Sequence, residues 1–399
     1  MAKKNVELTS KQEDFTSDLI KALNKEHGSR VAYNLAYDES PTHVKRWIST
    51  GSKQLDYIVA NRTDGGLPEG RIVEIFGPPS IGKSHIAIQI ARSTQQMGGI
   101  VVYIDTENAT SVENLGLLGV DISKRFVYVD THCTEEVLSI AEATIMKAKA
   151  MNKDVPITIV WDSVAASSPK AELVGDYDQN SIGLQARAIS KGMRKITGVI
   201  ANQNVLFVIL NQIRTKIGVM YGDPTVTPGG KAIPFHASVR IKLGAGQRIE
   251  NKDKEVIGIH VSAKTIKNKV SPPFRSVNFE IHFGKGIREH EQVFDLLRKH
   301  GPETVGGNEI KLAGSGAWKT LTVTDVTTGE ELVEKKFYKA DFGDVWKDPA
   351  YNAYIENLLE ASLVRHMTDD EHVEIDPESY EEVRSISLEI GDEIIDPEA

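Results

Sequence analysis

Short apolar runs alternate with helix-like patterns through the first half of the chain. These runs are rich in β-branched and aromatic residues and have the length of buried strands: 71–76, 99–105, 126–129, 156–162 and 205–211. Helical patterns stand between them at 134–151 and 183–200. The alternation predicts an α/β fold in which helices cover both faces of a mostly parallel sheet. Ligands of such folds bind at the carboxyl ends of the strands.

The pattern changes in the second half of the chain. Residues 235–283 contain three strand-like runs with little helix between them, and we expect these runs to extend the sheet. Residues 287–366 indicate a small mixed α/β unit, with a loop at 301–307 and a hairpin-like stretch at Thr327-Thr328-Gly329. From Thr368 onward the composition is polar and acidic, which is typical of a flexible tail.

An isolated amphipathic helix is predicted at residues 9–28. Thr9 or Ser10 can cap its start, and Gly28 ends it. Its apolar positions fall on one face: Phe15, Leu19, Ile20 and Leu23. A helix of this length is only marginally stable alone, so this face packs either on its own domain or on a neighbouring copy of the chain. The pattern does not separate these two arrangements.

The strand at 71–76 leads into a phosphate-binding motif. The segment Gly77-Pro78-Pro79-Ser80-Ile81-Gly82-Lys83-Ser84 matches G-x-x-x-x-G-K-[ST] and stands before a helical pattern. The glycines allow backbone N–H groups to point at phosphate oxygens, and the start of the helix adds a positive dipole end. Lys83 supplies a cation for the β- and γ-phosphates, and the Ser84 hydroxyl supplies a ligand for Mg²⁺. We therefore expect these eight residues to bind a nucleoside triphosphate.

Polar residues with suitable chemistry follow three other predicted strands. Asp162 ends the run ITIVWD, where an aspartate typically holds the Mg²⁺ of such a site. Glu107 lies just past the strand that ends at Asp105, and a carboxylate there can orient and deprotonate an attacking water. Spacing does not decide between Glu107 and Asp105. Gln212 ends the next strand, and its amide can both donate to a γ-phosphate and accept from water.

The segment 213–230 is long, contains glycine and is basic at its start. Long loops within compact domains are usually functional or mobile. The side chains of Arg214, Lys216 and Tyr221 suit contact with a nucleic-acid backbone and stacking on bases. Composition alone leaves this interpretation and an ordinary surface loop equally open.

The amino-acid composition indicates a globular protein without disulfides or a membrane span. The 399 residues are 40% hydrophobic and 26% charged, which suffices for a packed core. Cys133 is the only cysteine, so a disulfide within the chain is excluded, and a reducing cytoplasm is the expected location. We expect no membrane span, since no apolar run is long enough, and no signal peptide at the start.

Charge is distributed unevenly along the chain. Residues 367–399 contain 13 acidic residues and one basic residue, Arg384, which gives this segment a net charge of −12. The whole chain carries −9, so the remaining residues carry −9 + 12 = +3. A mildly basic body is thus joined to a strongly acidic tail.

Seven stretches of this sequence, in order, carry a resemblance to a known family: LPEGRIVEIFGPPSIGKS, YIDTEN, DSVAASSPKAE, GLQARAISKGMRK, FVILNQIRTKIGVMYG, GGKAIPFHASVR and KNKVSPPFRS. The segment from Ile48 to about Gly286 resembles the RecA family of bacterial and phage strand-exchange recombinases, which includes UvsX-like phage proteins. The matching stretches after YIDTEN are far more specific than the phosphate-binding motif. The N-terminal helix and acidic tail also resemble that family's layout.

The resemblance implies roles at the nucleotide. Glu107 matches the glutamate that activates water, and Gln212 matches the sensor of the γ-phosphate. Lys267 and Lys269 match lysines that reach the ATP of the adjacent subunit, and Phe235 matches an aromatic residue that couples subunits.

Two further positions are assigned to the nucleotide by the resemblance, Ser111 and Phe283. The family often carries an acidic residue and a tyrosine at the adenine, where this chain has Ser111 and Asn114.

The resemblance also implies a DNA-binding surface. Residues 176–183 match the family's first DNA-binding loop, and residues 213–230 contain the second. Ile182 and Ile217 match the apolar side chains that insert between base triplets. The remaining DNA-binding candidates are basic, aromatic or glycine residues: Arg187, Arg194, Arg214, Lys216, Tyr221, Gly229 and Gly230.

We therefore predict an ATP- and Mg²⁺-dependent DNA recombinase that forms a helical filament on single-stranded DNA and pairs it with homologous double-stranded DNA. Mediator and single-strand-binding proteins are the other partners that such an activity implies. The alternatives are a hexameric helicase built on the same core and a small-molecule kinase, which would leave both long loops without a role. The predicted segments are a docking helix with linker, a P-loop ATPase core, a C-terminal α/β domain and an acidic tail: 1–38, 39–286, 287–366 and 367–399.

Removal of residues 367–399 should strengthen DNA binding. A tethered polyanion competes with DNA phosphates for a basic surface at high local concentration. The gain in affinity should be largest at low salt, where charges are least screened. A salt titration of DNA affinity for the full-length and truncated proteins measures this effect. Equal affinities at every salt concentration would show that the tail does not inhibit DNA binding.

Overall fold

The computed structural model describes residues 10–35, 43–175, 183–215, 225–300 and 303–364. The strands, numbered in chain order, are β1 (Trp47–Ile48), β2 (Leu67–Pro68), β3 (Ile72–Gly77), β4 (Ile100–Asp105), β5 (Phe126–Asp130), β6 (Ile157–Asp162), β7 (Val205–Gln212), β8 (Arg214–Thr215), β9 (Thr225–Val226), β10 (Val239–Glu250), β11 (Val256–Asn268), β12 (Ser276–His282), β13 (Gly286–Ile287), β14 (Glu303–Val305), β15 (Asn308–Ala313), β16 (Trp318–Asp325) and β17 (Glu331–Tyr338).

The α-helices are α1 (Ser10–His27), α2 (Lys53–Ala60), α3 (Lys83–Gln96), α4 (Val112–Leu117), α5 (Thr134–Met151), α6 (Lys170–Val174), α7 (Leu184–Asn202), α8 (Ala232–His236), α9 (Glu289–His300), α10 (Phe342–Lys347) and α11 (Pro349–Leu363). Two short 3₁₀ helices lie at Val164–Ala166 and Lys339–Asp341. None of the described helices has the length and apolar character that crossing a bilayer requires.

A nine-stranded sheet organises the described residues up to Ile287, with the order β13-β12-β11-β10-β3-β7-β6-β4-β5. The strands from β10 through β3, β7, β6 and β4 to β5 are parallel, whereas β10, β11, β12 and β13 pair antiparallel. The predicted parallel strands are thus confirmed, as is the extension of the sheet by the runs after residue 235. The parallel strands bring their carboxyl ends to one edge.

Both faces of the parallel strands are buried, which explains their continuous apolar runs. Successive side chains of a strand point to opposite faces, so Val160 and Trp161 of β6 enter different cores. The core that contains Val160 includes the apolar face of α3, with Ile86 and Ile90. The core that contains Trp161 includes α5 and α7. Helices on the two faces thus hold the central strands in place.

A charged side chain is enclosed within this apolar sheet. Glu74 of β3 is fully buried, and its carboxylate accepts from Arg240 Nε of β10 at 2.5 Å. The other carboxylate oxygen accepts from Asn211 Nδ2 of β7 at 3.0 Å. The Arg240 guanidinium also lies over the Phe76 ring, 4.8 Å from its centroid. Glu74 therefore joins three adjacent strands through side-chain bonds.

The described residues from α9 to α11 form a small C-terminal α/β unit around the antiparallel sheet β14-β15-β16-β17. Helices α9, α10 and α11 supply much of its apolar core, to which Tyr57 of α2 also contributes. The hairpin predicted at Thr327-Thr328-Gly329 joins β16 to β17 and is confirmed. The predicted boundaries of the four segments stay a prediction, and the predicted tail at 367–399 lies outside the described residues.

The predicted loop at 301–307 is wrong for its described part. Residues 303–305 form β14, and Val305 pairs with Asn308 across a two-residue turn made of Gly306 and Gly307. Both glycines have positive φ, 58° and 82°, which is the geometry that a tight hairpin requires. The Gly-Gly pair was the signal for this hairpin, and the short flanking run obscured it.

Replacing Arg240 with methionine should lower the free energy of unfolding by about 3–5 kcal/mol, because a buried Glu74 carboxylate would lose its charged partner. Urea denaturation of the purified variant measures the loss. Lys264→Met, on an exposed position of β11, is the matched control and should change stability by no more than about 0.5 kcal/mol. A stability of Arg240→Met equal to that of the control would contradict a structural role for the Glu74 pair.

Candidate nucleotide-binding site

The phosphate-binding motif forms the turn between β3 and α3. Gly77 ends the strand where the β10 backbone passes closely: a Cβ there would stand 2.6 Å from the Leu243 carbonyl oxygen. Gly82 has φ 92°, a conformation that favours glycine, and it directly precedes the first residue of α3. The two glycines of the motif are thus required for different reasons, close approach at the first and backbone conformation at the second.

Lys83 is almost completely buried beneath this loop. Its ammonium group donates to the carbonyl oxygens of Pro78 at 2.7 Å and Gly77 at 3.3 Å. Burial lowers the pKa of Lys83, while the nearby charges of Asp162 and Glu107 oppose the shift. The cation is therefore held inside the loop by neutral carbonyl groups.

Asp162 lies beside the loop at the end of β6. Its carboxylate accepts from the Tyr103 hydroxyl at 2.6 Å and from the Ser84 hydroxyl. Burial raises the pKa of Asp162, and the neighbouring carboxylates of Glu107 and Asp105 add to the rise. A divalent cation would favour the ionised form, and carboxylate and hydroxyl oxygens are the ligands that Mg²⁺ takes. The residues present therefore fit a Mg²⁺ ion.

Glu107 and Asp105, which the sequence left as alternatives, have different surroundings. Glu107 Oε1 accepts from Gln212 Nε2 at 3.1 Å and from the Ser163 hydroxyl. Asp105 is buried and accepts from the backbone N–H groups of Glu107, at 3.0 Å, and Thr110, at 2.9 Å. Burial would raise the pKa of Asp105, but hydrogen bonds from the Thr110 side chain, these two backbone N–H groups and the Tyr128 hydroxyl outweigh it and hold the pKa below its usual range.

A cavity of about 390 Å³ brings the predicted residues of the loop and the strand ends together. The predicted residues that line it are Pro79, Ser80, Gly82, Lys83, Ser84, Glu107, Asp162, Gln212 and Phe283. Three lining residues were missed by the sequence analysis: His85, Ile259 and Ile281. The Nε2 atom of His85 is buried and has no partner among the described residues. An enclosed, unpaired nitrogen beside the phosphate loop is consistent with a bound polar group.

Comparison with known proteins agrees with this site. The family model described as "RecA N-terminal domain" matches residues 15–288, well over half of the chain. The chain belongs to the RecA family. It is similar to Protein RecA of Chloroherpeton thalassium, with 38% identity over 322 residues, which are 81% of this chain and 84% of the relative.

Other members of the RecA family match over comparable lengths. Protein RecA of Ruminococcus albus is 40% identical over 315 residues, 79% of this chain and 72% of the relative. Protein RecA of Bifidobacterium breve is 36% identical over 357 residues, 90% of this chain and 83% of the relative. The α/β fold class with a RecA-like core is thus confirmed, as is the prediction of an ATP-dependent DNA recombinase with DNA-dependent ATPase activity. Nothing in these matches favours the alternative of a helicase.

Several residues that the phosphate-binding motif or the RecA resemblance assigned to the nucleotide lie away from the lining of this cavity. Ser111 is the N-cap of α4, where its hydroxyl accepts from the Asn114 N–H at 3.3 Å. Lys267 donates to the carbonyls of Pro234 at 2.6 Å and Phe235 at 2.9 Å. Lys269 directly follows β11, which ends at Asn268, and its charge acts on Lys267. The side chain of Ile81 is buried in the core beside α3.

The DNA-binding candidates are only partly described. Ile182, Lys216, Ile217 and Tyr221 lie outside the described residues. Arg214 is exposed at β8. Exposed Arg187 and Arg194 lie on α7, seven residues apart and hence on one face of the helix, opposite buried Ile189 and Met193.

Lys191, also exposed, belongs to the same face of α7, and the sequence analysis missed it. The i, i+4, i+7 spacing from Arg187 was the available signal.

The end of the second predicted DNA-binding segment is tied to the nucleotide side of the sheet. Asn211 donates both to Glu74 and, at 3.0 Å, to the Pro228 carbonyl. Gly229 and Gly230 follow with φ of 92° and 69°. A Cβ on Gly230 would lie 3.0 Å from the Cβ of Ala186 in α7. These glycines thus permit close packing of the segment against the helix that carries Arg187.

Replacing Glu107 with glutamine should slow DNA-stimulated ATP hydrolysis by roughly 10²–10⁴-fold and leave ATP binding intact, because an amide keeps the shape but cannot accept the proton. Hydrolysis rates and nucleotide affinity, measured separately, test this. Glu113→Gln, an exposed glutamate of α4, is the matched control. Impaired turnover in Asp105→Asn together with normal turnover in Glu107→Gln would reverse the assignment.

Proposed function

We propose that this chain assembles into a helical filament on single-stranded DNA, binds ATP with Mg²⁺ at the β3–α3 loop, and pairs the bound strand with homologous duplex. The observation that carries the proposal is the convergence of Lys83, Asp162, Glu107 and Gln212 at one cavity. That combination of side chains suits ATP hydrolysis. Gln212 is also connected to the second predicted DNA-binding segment, because its N–H bonds Asn211, which in turn bonds the Pro228 carbonyl.

The loop from Gly77 to Ser84 is proposed to hold the phosphates. Lys83 would exchange its carbonyl partners for phosphate oxygens, a stronger interaction because both partners are charged. Ser84 and Asp162 would hold Mg²⁺, which when bound neutralises charge that develops on the phosphates. His85, at the first turn of α3, offers a further nitrogen to the nucleotide.

Glu107 is proposed to orient and deprotonate the attacking water. Its Oε1 atom is engaged by Gln212 and Ser163, so Oε2 is the atom that can accept from water. Asp105 instead organises the turn that follows β4, since backbone N–H groups bond both of its oxygens. The hydrogen bonds of the two carboxylates thus favour a catalytic role for Glu107 and a structural role for Asp105.

Gln212 is proposed to sense the γ-phosphate. One N–H of its Nε2 donates to Glu107, and the other N–H would donate to a phosphate oxygen. The neighbouring residue Asn211 accepts from the Gln212 N–H at 3.0 Å and holds Pro228. A shift of Gln212 would thus reach the segment that precedes Gly229 and Gly230. This path links nucleotide state to DNA affinity.

Self-association is supported by apolar side chains that a single chain leaves exposed. Phe15 and Leu19 of α1 are 70% and 48% exposed, and Phe235 of α8 is 74% exposed. A neighbouring copy that covers α1 is the second of the two arrangements that the sequence left open. Lys267 and Lys269 are proposed to reach the nucleotide of that neighbour.

The DNA surface is proposed to combine the basic face of α7 with the two predicted DNA-binding segments. Arg187, Arg194 and Arg214 would contact phosphates, while Ile182 and Ile217 would separate bases. Single-stranded and double-stranded DNA are the proposed partners, together with mediator or single-strand-binding proteins. A cytoplasmic location stays a prediction that rests on composition.

Electron microscopy of the purified protein with ATP and single-stranded DNA tests the assembly, and helical filaments are the expected result. Lys83→Ala should form no ATP-dependent filaments and hydrolyse no ATP, because the cation on the transferred phosphate is lost. Lys147→Ala, an exposed lysine of α5, should assemble like the parent. Rings would indicate a helicase, and parental hydrolysis by Lys83→Ala would show that the site lies elsewhere.

A further inference from the structure

Two carboxylates and an imidazole meet where the antiparallel end of the main sheet contacts α9. Glu280 and His282 belong to β12, and Glu291 belongs to the first turn of α9. One potential ligand atom from each residue lies within 4.8 Å of the others. His282 is only 8% exposed, although the strand position it occupies belongs to the polar face of β12. These residues are separate from the nucleotide cavity described above.

These residues lie close together because the chain turns back after β12 and soon begins α9. Glu280 and His282 stand two residues apart and so share one face of β12, opposite buried Phe279 and Ile281. Gly284, between β12 and β13, and Gly286, the first residue of β13, have φ of 70° and 73° and turn the chain. Helix α9 then begins at Glu289 and carries its first turn back beside His282.

A single nitrogen of His282 faces both carboxylates. His282 Nε2 lies 2.9 Å from Glu280 Oε2 and 4.0 Å from Glu291 Oε2. A tetrahedral Zn²⁺ with ligand bonds of about 2.0–2.1 Å would separate its ligand atoms by about 3.3 Å. The two observed distances lie on either side of that value, so small side-chain rotations would complete the geometry.

The outer oxygen of each carboxylate is held by another side chain. Glu280 Oε1 lies 3.4 Å from His260 Nδ1, and His260 pairs with Glu280 across β11 and β12. Glu291 Oε1 lies 2.7 Å from Arg288 Nη1. Contacts of this kind orient the ligands of metal sites, because they fix which oxygen faces the ion.

The cluster opens onto a cavity of about 600 Å³, which Glu280, Glu291 and Gln292 help to line. Gln292 is 7% exposed, and its Oε1 accepts from the Ser52 hydroxyl at 3.0 Å. Its Nε2 donor is buried and has no partner within the described part of the chain. The cavity gives an ion an entry path and room for a water as a further ligand.

We propose that Glu280, His282 and Glu291 form a site for a divalent transition-metal ion of the Zn²⁺ type. An imidazole nitrogen beside two carboxylates favours such an ion over Mg²⁺ or Ca²⁺, which prefer oxygen ligands alone. The ion would bridge β12 and α9, and it would therefore fasten the first helix of the C-terminal unit to the sheet. An ion pair between His282 and Glu280 without metal is the competing explanation of the same contacts.

Zn²⁺ titration by calorimetry tests the site, using full-length protein without nucleotide and in excess Mg²⁺. We expect one Zn²⁺ per chain, a rise in the thermal midpoint of unfolding, and a visible absorption spectrum of tetrahedral type when Co²⁺ replaces Zn²⁺. His282→Ala and Glu291→Gln should lose all three signals. His260→Ala, which removes only an orienting contact, should bind about 10–100-fold more weakly.

His290→Gln is the matched control, since His290 lies next to Glu291 on α9 but outside the cluster, and it should bind Zn²⁺ like the parent. Circular dichroism verifies that each variant is folded, and Glu291→Gln provides the conservative change should His282→Ala fail to fold. Parental protein that binds no Zn²⁺ would overturn the proposal and leave the ion pair. Parental affinity in both His282→Ala and Glu291→Gln would overturn it as well.

Discussion

The buried carboxylate of Glu74 constrains the centre of the molecule. An ion enclosed among apolar strands costs several kcal/mol unless charged and polar partners compensate for the lost water. Arg240 and Asn211 are those partners, and they belong to the strands on either side of β3. The relative positions of β10, β3 and β7 are thus fixed by side-chain bonds as well as by the backbone ladder. Two of these strands end at residues proposed to act on the nucleotide.

The parallel arrangement of the strands converts distant sequence positions into one site. β3, β7, β6 and β4 are consecutive neighbours, and residues at or just beyond their carboxyl ends line one cavity: Lys83, Gln212, Asp162 and Glu107. Burial strengthens electrostatic interactions among these groups. Burial also raises the pKa of Asp162 and lowers the pKa of Lys83, which means that it disfavours the charged form of both side chains. Binding of a polyanion with its metal ion would supply charges that reverse both effects.

The parallel strands and the phosphate-binding loop were predictable because their signals are local. The apolar runs predicted strands β3 to β7, and the predicted ends lie within two residues of the observed ends. The motif predicted the loop directly. Ile259 and Ile281 were not predictable, since they reach the cavity only because the antiparallel strands β11 and β12 fold back beside the loop. The N-cap role of Ser111 in α4 was not predicted either, and its assignment to the nucleotide stays a prediction. The hairpin at Gly306-Gly307 was missed although its turn signal was present.

The hydrogen bonds of Gln212 indicate how nucleotide and DNA sites are coupled in the proposed function. Gln212 Nε2 carries two N–H groups, of which one donates to Glu107, so the second can donate to a γ-phosphate oxygen and turn the amide towards the nucleotide. A hydrogen bond to a charged group contributes about 1.5–3 kcal/mol, and a difference of about 1.4 kcal/mol changes a population tenfold. In the proposed function, one such bond to the γ-phosphate would therefore be large enough to bias the arrangement of Gln212, Asn211 and the Pro228 carbonyl. Because coupling is reciprocal, DNA that favours one arrangement must also change the affinity for the nucleotide.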